Sequence, residues 1–500
     1  MRKKVKGSLT VFFAMIMVAV MGLIFTMSGC IRYYELHDFA AEYTDMAVES
    51  VFSEYNPYLW TNYKILAIDL GYGTENQGPG ILEQKALEYV KYNSDIESGH
   101  NYARLYPETA YAKTYSLLTD NQGQPVVKLG VKAAKEGIAS QVIDGIQGHI
   151  DSINNVEKVL VEEKAKAGKD SLKQAKEANE NAKQAARDDD DPNTNPEDYP
   201  EPEEVEDNPL DAFDVLSESF SKGVLSTITE VDKISDTEIK LDETPSHRTL
   251  QSGNMNLEAD GNLVDKALFI DYLLTNYGYY GHDLKHDGIK YEVEYLLSGK
   301  STDTQCLASV VEQIMLAREA ANFATIMANP SMVAEAEKIA ATIAGFSMNP
   351  VVVQLVTAAI IAAWAYAEST LDLRLILSGG KVAPVKTLDQ WTSDVWHLSQ
   401  VANVKFKAKD CGAGLGYKEF LMAFLALRSN STLSMRSLDV MENALNSTED
   451  YAKVKIDNML WAADIQMGYS AKEMFLSLFN GNGQEESGEY YFEKNKFLEY

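Results

Sequence analysis

The pattern of hydrophobic and polar positions is most uneven near the N-terminus, where residues Gly7 to Ile31 include no charged side chain. A helix rises ~1.5 Å per residue, so a helix of this length exceeds the ~30 Å hydrocarbon core of a bilayer. Apolar residues then recur at helical spacing from Leu36 to Phe52. The pattern predicts a transmembrane helix over residues 7–31 that continues outward as an amphipathic helix.

Basic residues are concentrated before this segment. Residues 1–6 include Arg2, Lys3, Lys4 and Lys6 and no acidic residue. Under the positive-inside rule, this basic tail stays in the cytoplasm. We therefore expect a single-pass protein of the cell membrane, with a cytoplasmic N-terminus and the bulk of the chain extracytoplasmic.

Three kinds of processing compete with a plain anchor. A cleaved secretory signal usually has a shorter apolar run and a small-residue cleavage site, and neither is present. The stretch Met27-Ser28-Gly29-Cys30 resembles a lipobox, which would lipidate Cys30. A basic leader that ends in Gly7, followed by Ser8 and an apolar helix, resembles a prepilin signal. The candidate processing positions are therefore Gly7 and Ser8, or Cys30.

Residues 32–187 are predicted to form a membrane-proximal helical region with a small sheet. The spacing predicts a helix over 82–92, and the composition favours a strand over 109–118 before the turn-forming residues 120–123. Isoleucines and valines from Ile143 to Leu160 recur every three or four residues, and alanines extend the pattern to Ala185. This indicates one long helix or an antiparallel pair, with a coiled-coil seam as an alternative.

Residues 188–207 read DDDDPNTNPEDYPEPEEVED, with almost no apolar side chain. Such a segment cannot bury enough surface to offset its ordering entropy, so it is predicted to be a disordered acidic linker. Residues 208–500 would then form a mainly helical outer domain, with helices at 208–231, 263–277 and from 307 onward. Residues 290–297 alternate like a strand. The fold class expected is mainly α with a minor β component (α+β).

A second charge-free run extends from Ile339 to Ala367. It contains Asn349 and Pro350, many alanines and no basic flank that would set an orientation. A buried helix of a large core is therefore favoured over a second membrane span.

The N-terminal tail is basic, whereas the rest of the chain is strongly acidic. The whole chain carries −29, and since the first 31 residues hold four bases and no acid, the remainder carries 41 − 74 = −33. Such a surface repels nucleic acid and is expected to be solvated. With Cys30 at the membrane, the outer part allows at most one disulfide, between Cys306 and Cys411.

Few residues suggest chemistry. His282 and His286 have the spacing of a metal pair but lack the Glu of H-E-x-x-H, so surface polar residues are expected. Gly412, Gly414 and Gly416 predict a flexible turn before a helix. Glu292 and Glu294 would share one side of a strand, where a solvated face or ion pairs with Lys290 or Arg318 is expected. No P-loop or G-x-S-x-G occurs, and no catalytic, cofactor or metal site is predicted.

Several segments together resemble an uncharacterised family of Gram-positive bacterial proteins whose genes typically accompany those of the tight-adherence (Tad/Flp) pilus. The resemblance implies a TadE/TadG-like minor pseudopilin with one N-terminal membrane helix, and no catalytic residues. Phe12 departs from that pattern, because pseudopilins usually carry Glu there, and so does Cys30. The segments are GSLTVFFAMIM (Gly7–Met17), residues 47–73, YEVEYLLSGKSTD (Tyr291–Asp303), REAANF (Arg318–Phe323), residues 363–387 and residues 416–445.

The function expected is therefore a non-enzymatic, membrane-anchored component of a Tad-like pilus or secretion assembly, with pilin-like proteins as partners. The alternative is a surface lipoprotein that is anchored through Cys30 and binds a wall component or another ligand. A wall-active hydrolase that uses Glu292 or Glu294 is a third hypothesis.

Overall fold

The computed structural model describes residues 8–95, 101–136, 161–188, 197, 199–223, 225, 234–256, 263–474 and 489–500. It is mainly helical with one small antiparallel sheet, in agreement with the expected α+β class. The chain forms two compact units, each assembled from separate stretches. Unit 1 comprises residues 1–129, 245–260 and 445–500, and unit 2 comprises residues 130–244 and 261–444.

Unit 1 is organised around helix α1 (Ser8–Phe52), which runs without a break for 45 residues. Its second half buries Leu36, Ala40, Val48 and Val51, each no more than 1% exposed, against the sheet. These positions recur at three, four and eight residues, which places them on one face of a helix. The predicted continuation of the apolar helix as an amphipathic one is confirmed.

The sheet of unit 1 has β3 (Met459–Lys472) at its centre, and every pairing is antiparallel. Strand β2 (Tyr106–Leu117) lies along one edge of β3, with Leu117 opposite Leu460. Strands β1 (Ile68–Asp69) and β4 (Glu489–Glu499) pair with β3 at residues 459–460 and 462–472 respectively, so they share its other edge. The predicted strand over 109–118 is confirmed as part of β2.

Short helices complete unit 1 at the end of α1. Asn56 caps the first of them by accepting hydrogen bonds from the amides of Tyr58 and Leu59, and Pro57 occupies its first position. These helices are α2 (Pro57–Tyr63), α3 (Gly80–Asn93), which confirms the helix predicted over 82–92, and the single turn Ile456–Asn458. Helix α4 (Asp120–Glu136) begins with left-handed residues at 121–123, which confirms the predicted turn, and it contains the boundary between the units.

Unit 2 is a bundle of helices whose bounds follow. They are α5 (Val161–Asp188), α6 (Pro209–Lys222), α7 (Leu263–Asn276), α8 (Glu292–Ser298), α9 (Asp303–Met327), α10 (Pro330–Ala344), α11 (Pro350–Leu377), α12 (Tyr417–Ala426) and α13 (Asn430–Asn446), with 3-10 turns at Leu241–Glu243, Gly345–Ser347 and Val395–Ala402.

Helix α11 is the core of unit 2, because every residue from Ala359 to Leu377 is buried. Helices α5, α6, α9 and α10 pack around it. Gly168 allows α5 to approach closely, since a Cβ atom at Gly168 would lie 2.3 Å from the Cβ of Ala359. An apolar helix enclosed on all sides needs no polar face, which explains why residues 359–367 carry no charge.

The charge-free run at 339–367 is interrupted at residues 345–349. Asn349 caps α11 through the amide of Val351, and Pro350 takes the first helical position. The run therefore belongs to two helices, and most of the apolar window of α11, 61%, is buried inside the unit.

The strand expected over 290–297 is wrong. Residues 292–298 form α8, which ends at Gly299 in the left-handed conformation, with the Gly299 amide bonded to the carbonyl of Tyr295. A glycine in this position is a common helix stop. The alternation of apolar and polar residues suggested a strand with one solvated face. It was misleading because Glu292 and Glu294 are buried like their apolar neighbours.

The predicted ranges 32–187 and 208–500 differ from the two units. Strand β3 pairs with β2, and β4 pairs with β3, which returns residues 445–500 to unit 1. The basic tail at 1–6, the pattern at 143–160 and most of the acidic segment at 188–198 lie outside the described residues. Of the helix expected at 208–231, residues 209–222 are helical. The helices expected at 263–277 and beyond 307 are confirmed.

Candidate functional site: the N-terminal helix and two buried polar clusters

The first half of α1 exposes large apolar side chains on all of its faces. They extend from Leu9 to Ile31 and include Phe12 at 57% and Val18 at 67% exposure. Among the described residues, α1 and α11 are the two helices long and apolar enough to cross a membrane, and no residue in the apolar window of α1 is buried. A contiguous apolar surface of this kind indicates a membrane or another hydrophobic partner. A membrane anchor and a signal sequence share this property.

The candidate processing positions lie at opposite ends of this apolar half. Gly7 is outside the described residues, and Ser8 is the first helical residue. Cys30 is an exposed free thiol within the unbroken helix. At ~1.5 Å per residue, Ser8 and Cys30 are ~33 Å apart along α1, so the two candidate cleavage sites are separate.

The contact between α1 and the sheet begins immediately after Cys30. Arg32 donates from Nη2 to the carbonyl of Lys472 over 3.4 Å, and the Tyr33 ring lies 5.5 Å from that of Tyr490 and 5.3 Å from that of Phe492. The α1 helix thus divides at Cys30 into an uncovered apolar half and a half that forms part of unit 1.

The face of α1 that points away from the sheet is acidic. Its carboxylates recur at alternating steps of three and four residues, which aligns them in one stripe along a helix. One of them, Asp45, forms an ion pair with Lys496 of β4 at 3.3 Å. The residues of this acidic stripe are Glu35, Asp38, Glu42, Asp45 and Glu49, and all five are exposed.

Glu292 and Glu294 are neither solvated nor paired with Lys290 or Arg318, so that expectation is wrong. Both are buried in the first turn of α8, at 1% and 0% exposure. Glu292 accepts a hydrogen bond from the amide of Gly278 at 2.5 Å, and Glu294 accepts one from the amide of Tyr280 at 2.9 Å. The two carboxylates hold the loop that precedes α8, which is a structural arrangement rather than an acid–base pair with an open substrate position.

Glu294 is the more unusual of the two because one of its oxygens is unsatisfied. Its Oε1 also accepts from the hydroxyl of Tyr417 at 2.7 Å, whereas Oε2 is buried without a hydrogen-bond partner among the described residues. Burial raises the pKa of Glu294 to about 7. The neutral carboxylic acid is therefore the form that this site favours.

Replacing Glu294 with Gln should stabilise the protein strongly at pH 8 and by only ~1 kcal/mol at pH 5. The pKa of Glu294 is higher in the folded protein, at about 7, than in the unfolded chain, so the folded state holds one more proton between ~4.3 and 7 and loses stability as the pH rises. Gln cannot ionise, and the gain at pH 8 should approach ~3 kcal/mol. Urea denaturation at both pH values measures it. The exposed Glu312→Gln is the control, and an equal gain at pH 5 would contradict the explanation.

The two histidines of the loop have different surroundings. His286 is buried and its Nδ1 lies 3.0 Å from Glu292 Oε2, so the expectation of a surface residue is wrong for it. His282 is partly exposed in a turn closed by backbone hydrogen bonds with Tyr279. The described residues contain no group of three or more His, Cys, Asp or Glu side chains that could hold a metal ion.

The strongest concentration of buried charge was missed by the sequence analysis. Lys386 contacts both Glu368 and Asp372, and the side chains of all three are 0% exposed. Arg318 donates from Nε to Asp372 Oδ2 at 2.9 Å, and Asn322 donates to the same oxygen at 2.9 Å. The available signal was a pair of acids four residues apart in the largely apolar α11. We call these five residues the lysine cluster.

The remaining candidates lie apart from both clusters. Cys306 and Cys411 are both free thiols, so the disulfide that the sequence allows is not formed. Burial raises the pKa of the Cys306 thiol to about 11, and its Sγ donates to the carbonyl of Lys300 at 3.3 Å. The three glycines at 412, 414 and 416 lie in the turn before α12, as predicted.

These features define an α+β protein with a long N-terminal helix whose first half is apolar and uncovered. Residues 199–471, more than half of the chain, match a family of unknown function, DUF5702. The chain belongs to this family. The matched region covers helices α6 to α13 and most of β3, and it does not include α1. No curated protein and no solved structure matches the chain.

Proposed function

We propose that the protein is a non-enzymatic, membrane-anchored component of an extracytoplasmic assembly of the Tad pilus or secretion type, similar to a minor pseudopilin. In this proposal, residues 7–31 remain in the membrane and residues 1–6 in the cytoplasm. The two units lie outside the cell. The observation that carries the proposal is the division of α1 at Cys30 into an apolar, uncovered half and a half packed on a sheet.

The continuity of α1 supports an anchor that is rigidly connected to unit 1. A single unbroken helix extends from the apolar half into the core, where Leu36 and Ala40 are buried beneath β3 and β4. A signal sequence that is removed has no need of such a connection, whereas a pilin-like subunit has to transmit its position in the membrane to its outer part.

The charge distribution supports the orientation. The four bases before the apolar half favour a cytoplasmic tail. The remainder carries −33, which keeps the outer part soluble and away from anionic lipid headgroups. The acidic stripe of α1 leaves a helix face available next to the membrane, where helices of partner subunits would approach.

Protease treatment of intact cells tests the orientation. The proposal predicts that added protease removes units 1 and 2, while a tag fused before residue 1 stays protected until the membrane is permeabilised. A control cytoplasmic protein should remain intact in the same sample. Protection of the units together with loss of the tag would indicate the opposite topology.

The second candidate is a surface lipoprotein anchored through Cys30. The observation that favours it is the exposure of Cys30 directly before the first contact of α1 with the sheet, since cleavage at Gly29 would leave unit 1 nearly whole.

Replacing Cys30 with Ser separates the two candidates. If the apolar half of α1 is the anchor, C30S should remain in the membrane fraction at the wild-type level, because a hydroxyl in place of the thiol leaves the span intact. If lipid is the anchor, C30S should lose incorporation of labelled fatty acid and keep an uncleaved precursor. Cys411→Ser is the matched control, since that thiol lies in a loop of unit 2 far along the chain from α1.

A further inference from the structure

The lysine cluster brings one amine against two carboxyl groups in a site without solvent. Glu368 and Asp372 are four residues apart on α11 and therefore lie on the same face of the helix. Lys386, from the loop that follows α11, places its Nζ between them, in contact with Glu368 and 2.5 Å from Asp372 Oδ1. Isolated charges are costly to bury, so the arrangement requires an explanation beyond an ordinary surface ion pair.

The contact between Lys386 and Asp372 is close but does not have the direction of a hydrogen bond. Asp372 Oδ1 is buried and has no hydrogen-bond partner among the described residues, although Nζ lies only 2.5 Å away. The carboxyl carbon is bonded to Oδ1, so the amine is also within reach of that carbon. Reacting atoms held at such distances correspond to high effective concentrations.

The second oxygen of Asp372 is held by two donors. Arg318 Nε and Asn322 Nδ2 both lie 2.9 Å from Oδ2. Donors placed in this way stabilise negative charge that develops on a carbonyl oxygen during attack at its carbon. Arg318 is itself held in place, because it also donates to the carbonyl of Ala383 at 3.0 Å. Asn322 is held by a hydrogen bond that its Oδ1 accepts from Arg318 Nη2 at 3.2 Å.

Aromatic rings separate the cluster from solvent. Lys386 Nζ lies 5.7 Å from the centre of the Trp391 ring, which packs edge-to-face against Trp364 with centroids 5.7 Å apart. Glu368 accepts hydrogen bonds from the amides of Thr392 and Ser393, which orient its carboxylate toward the amine. Exclusion of water favours condensation between an amine and an acid, because the reverse reaction needs water.

We propose that Lys386 and Asp372 become joined by an intramolecular amide bond, with Glu368 as the group that transfers the protons. Glu368 takes one proton from the ammonium, and the free electron pair of Nζ attacks Cγ of Asp372. Negative charge collects on Oδ2, facing Arg318 and Asn322. Oδ1 receives this proton and a second one from the nitrogen and leaves as water when its bond to Cγ breaks. The ammonium and carboxylate are consumed, and Glu368 is regenerated.

The bond would fasten the loop after α11 to the helix itself. It encloses residues 372–386, and because it is covalent it persists when the protein unfolds. The charges remaining in the cluster, Arg318 and Glu368, still sum to zero. A covalent cross-link of this kind in the core of unit 2 would stabilise a protein that lies outside the cell, where cytoplasmic chaperones cannot refold it.

Mass spectrometry of the purified full-length protein tests the proposal directly. Trypsin cannot cut after an acylated lysine, so the proposal predicts that peptide 339–374 is recovered covalently joined to peptide 382–405, lighter than the two separate peptides by one water. Recovery of 339–374, 382–386 and 387–405 as separate peptides of full mass would overturn it.

Variants assign the roles. Lys386→Met and Glu368→Gln should each yield peptide 339–374 unlinked, at the mass expected for the sequence of that variant. The first removes the nucleophile and the second removes the proton carrier. Lys381→Met is the matched control, since Lys381 forms a more exposed ion pair with Glu419 at 2.7 Å. It should retain the link, now between peptides 339–374 and 375–405, because the substitution removes the tryptic site after residue 381. A link that persists in Lys386→Met would also overturn the assignment. Only the folded, soluble fraction of each variant is digested, because the bond can form only where the cluster is assembled.

Discussion

Removing residues 1–27 is expected to convert a membrane-bound protein into a soluble one without unfolding unit 1. The deleted part exposes its apolar side chains and contributes none of the buried residues of unit 1, whose first buried position on α1 is Gly29. Each Leu, Ile, Phe or Val at the centre of a span favours insertion by ~0.3–0.6 kcal/mol, and this segment contains many of them. The loss of membrane association should therefore be nearly complete.

Fractionation and thermal unfolding of the full-length and truncated proteins measure this effect. We expect the truncated protein in the soluble fraction, with a melting temperature within a few degrees of the wild type in detergent. A variant with Glu42→Gln and Glu49→Gln alters the same helix beyond the apolar half and should stay in the membrane fraction. Retention of the truncated protein in membranes would mean that α11 or another surface provides the anchor.

Replacing Arg318 with Met is expected to lower the free energy of unfolding by ~3–5 kcal/mol, the typical cost of leaving a buried charge unpaired. Arg318 is 2% exposed, and the charges of Arg318, Lys386, Glu368 and Asp372 sum to zero. Without Arg318 the cluster has a net charge of −1. This remains true if Lys386 and Asp372 are joined, since an amide removes one charge of each sign.

Urea denaturation measures the change, and an exposed ion pair provides the control. Lys381→Met removes one partner of the more exposed pair with Glu419 and should cost less than ~1 kcal/mol, as surface pairs do. The double variant Arg318→Met with Glu368→Gln should recover part of the loss, because it restores a neutral cluster. If Arg318→Met is as mild as Lys381→Met, the cluster does not contribute to stability in the manner described.

Local patterns were sufficient to predict the elements whose burial follows one period. The spacing from Leu36 to Phe52 is that of a helix with one buried face, and α1 has that face. The helices α3 and α7 were predicted from their helical patterning, whereas the strand β2 was predicted from the composition of residues 109–118. The apolar half of α1 was recognisable in the sequence because residues 7–31 contain no charged side chain.

The failures arose where polar residues are buried by contacts distant in sequence. From its sequence neighbours, Glu294 is expected to be solvated. In the structure it is buried and accepts a hydrogen bond from the hydroxyl of Tyr417, which lies 123 positions later. The lysine cluster likewise depends on Arg318, 54 positions before Asp372. The spacing of neighbouring residues carries no information about such distant partners. Glu292 and Glu294 were therefore assigned to a strand, and Lys386 was not recognised as a buried charge.

The division of the chain could not be read from composition either. The acidic segment at 188–207 suggested the main boundary. In the structure, residues 445–500 belong to unit 1 instead, because β3 pairs with β2. A pairing between residues more than 340 positions apart leaves no mark in the intervening sequence.

The sequence of the mature N-terminus, determined by mass spectrometry on protein isolated from its native membrane, tests the central claim most directly. If α1 is the anchor, the mature chain should start at Met1 or at Ser8, with the apolar half of α1 retained in either case. A mature chain that begins at a lipid-modified Cys30, or at any unmodified residue beyond Ile31, would contradict this claim, because the helix that defines the proposed anchor would then be absent.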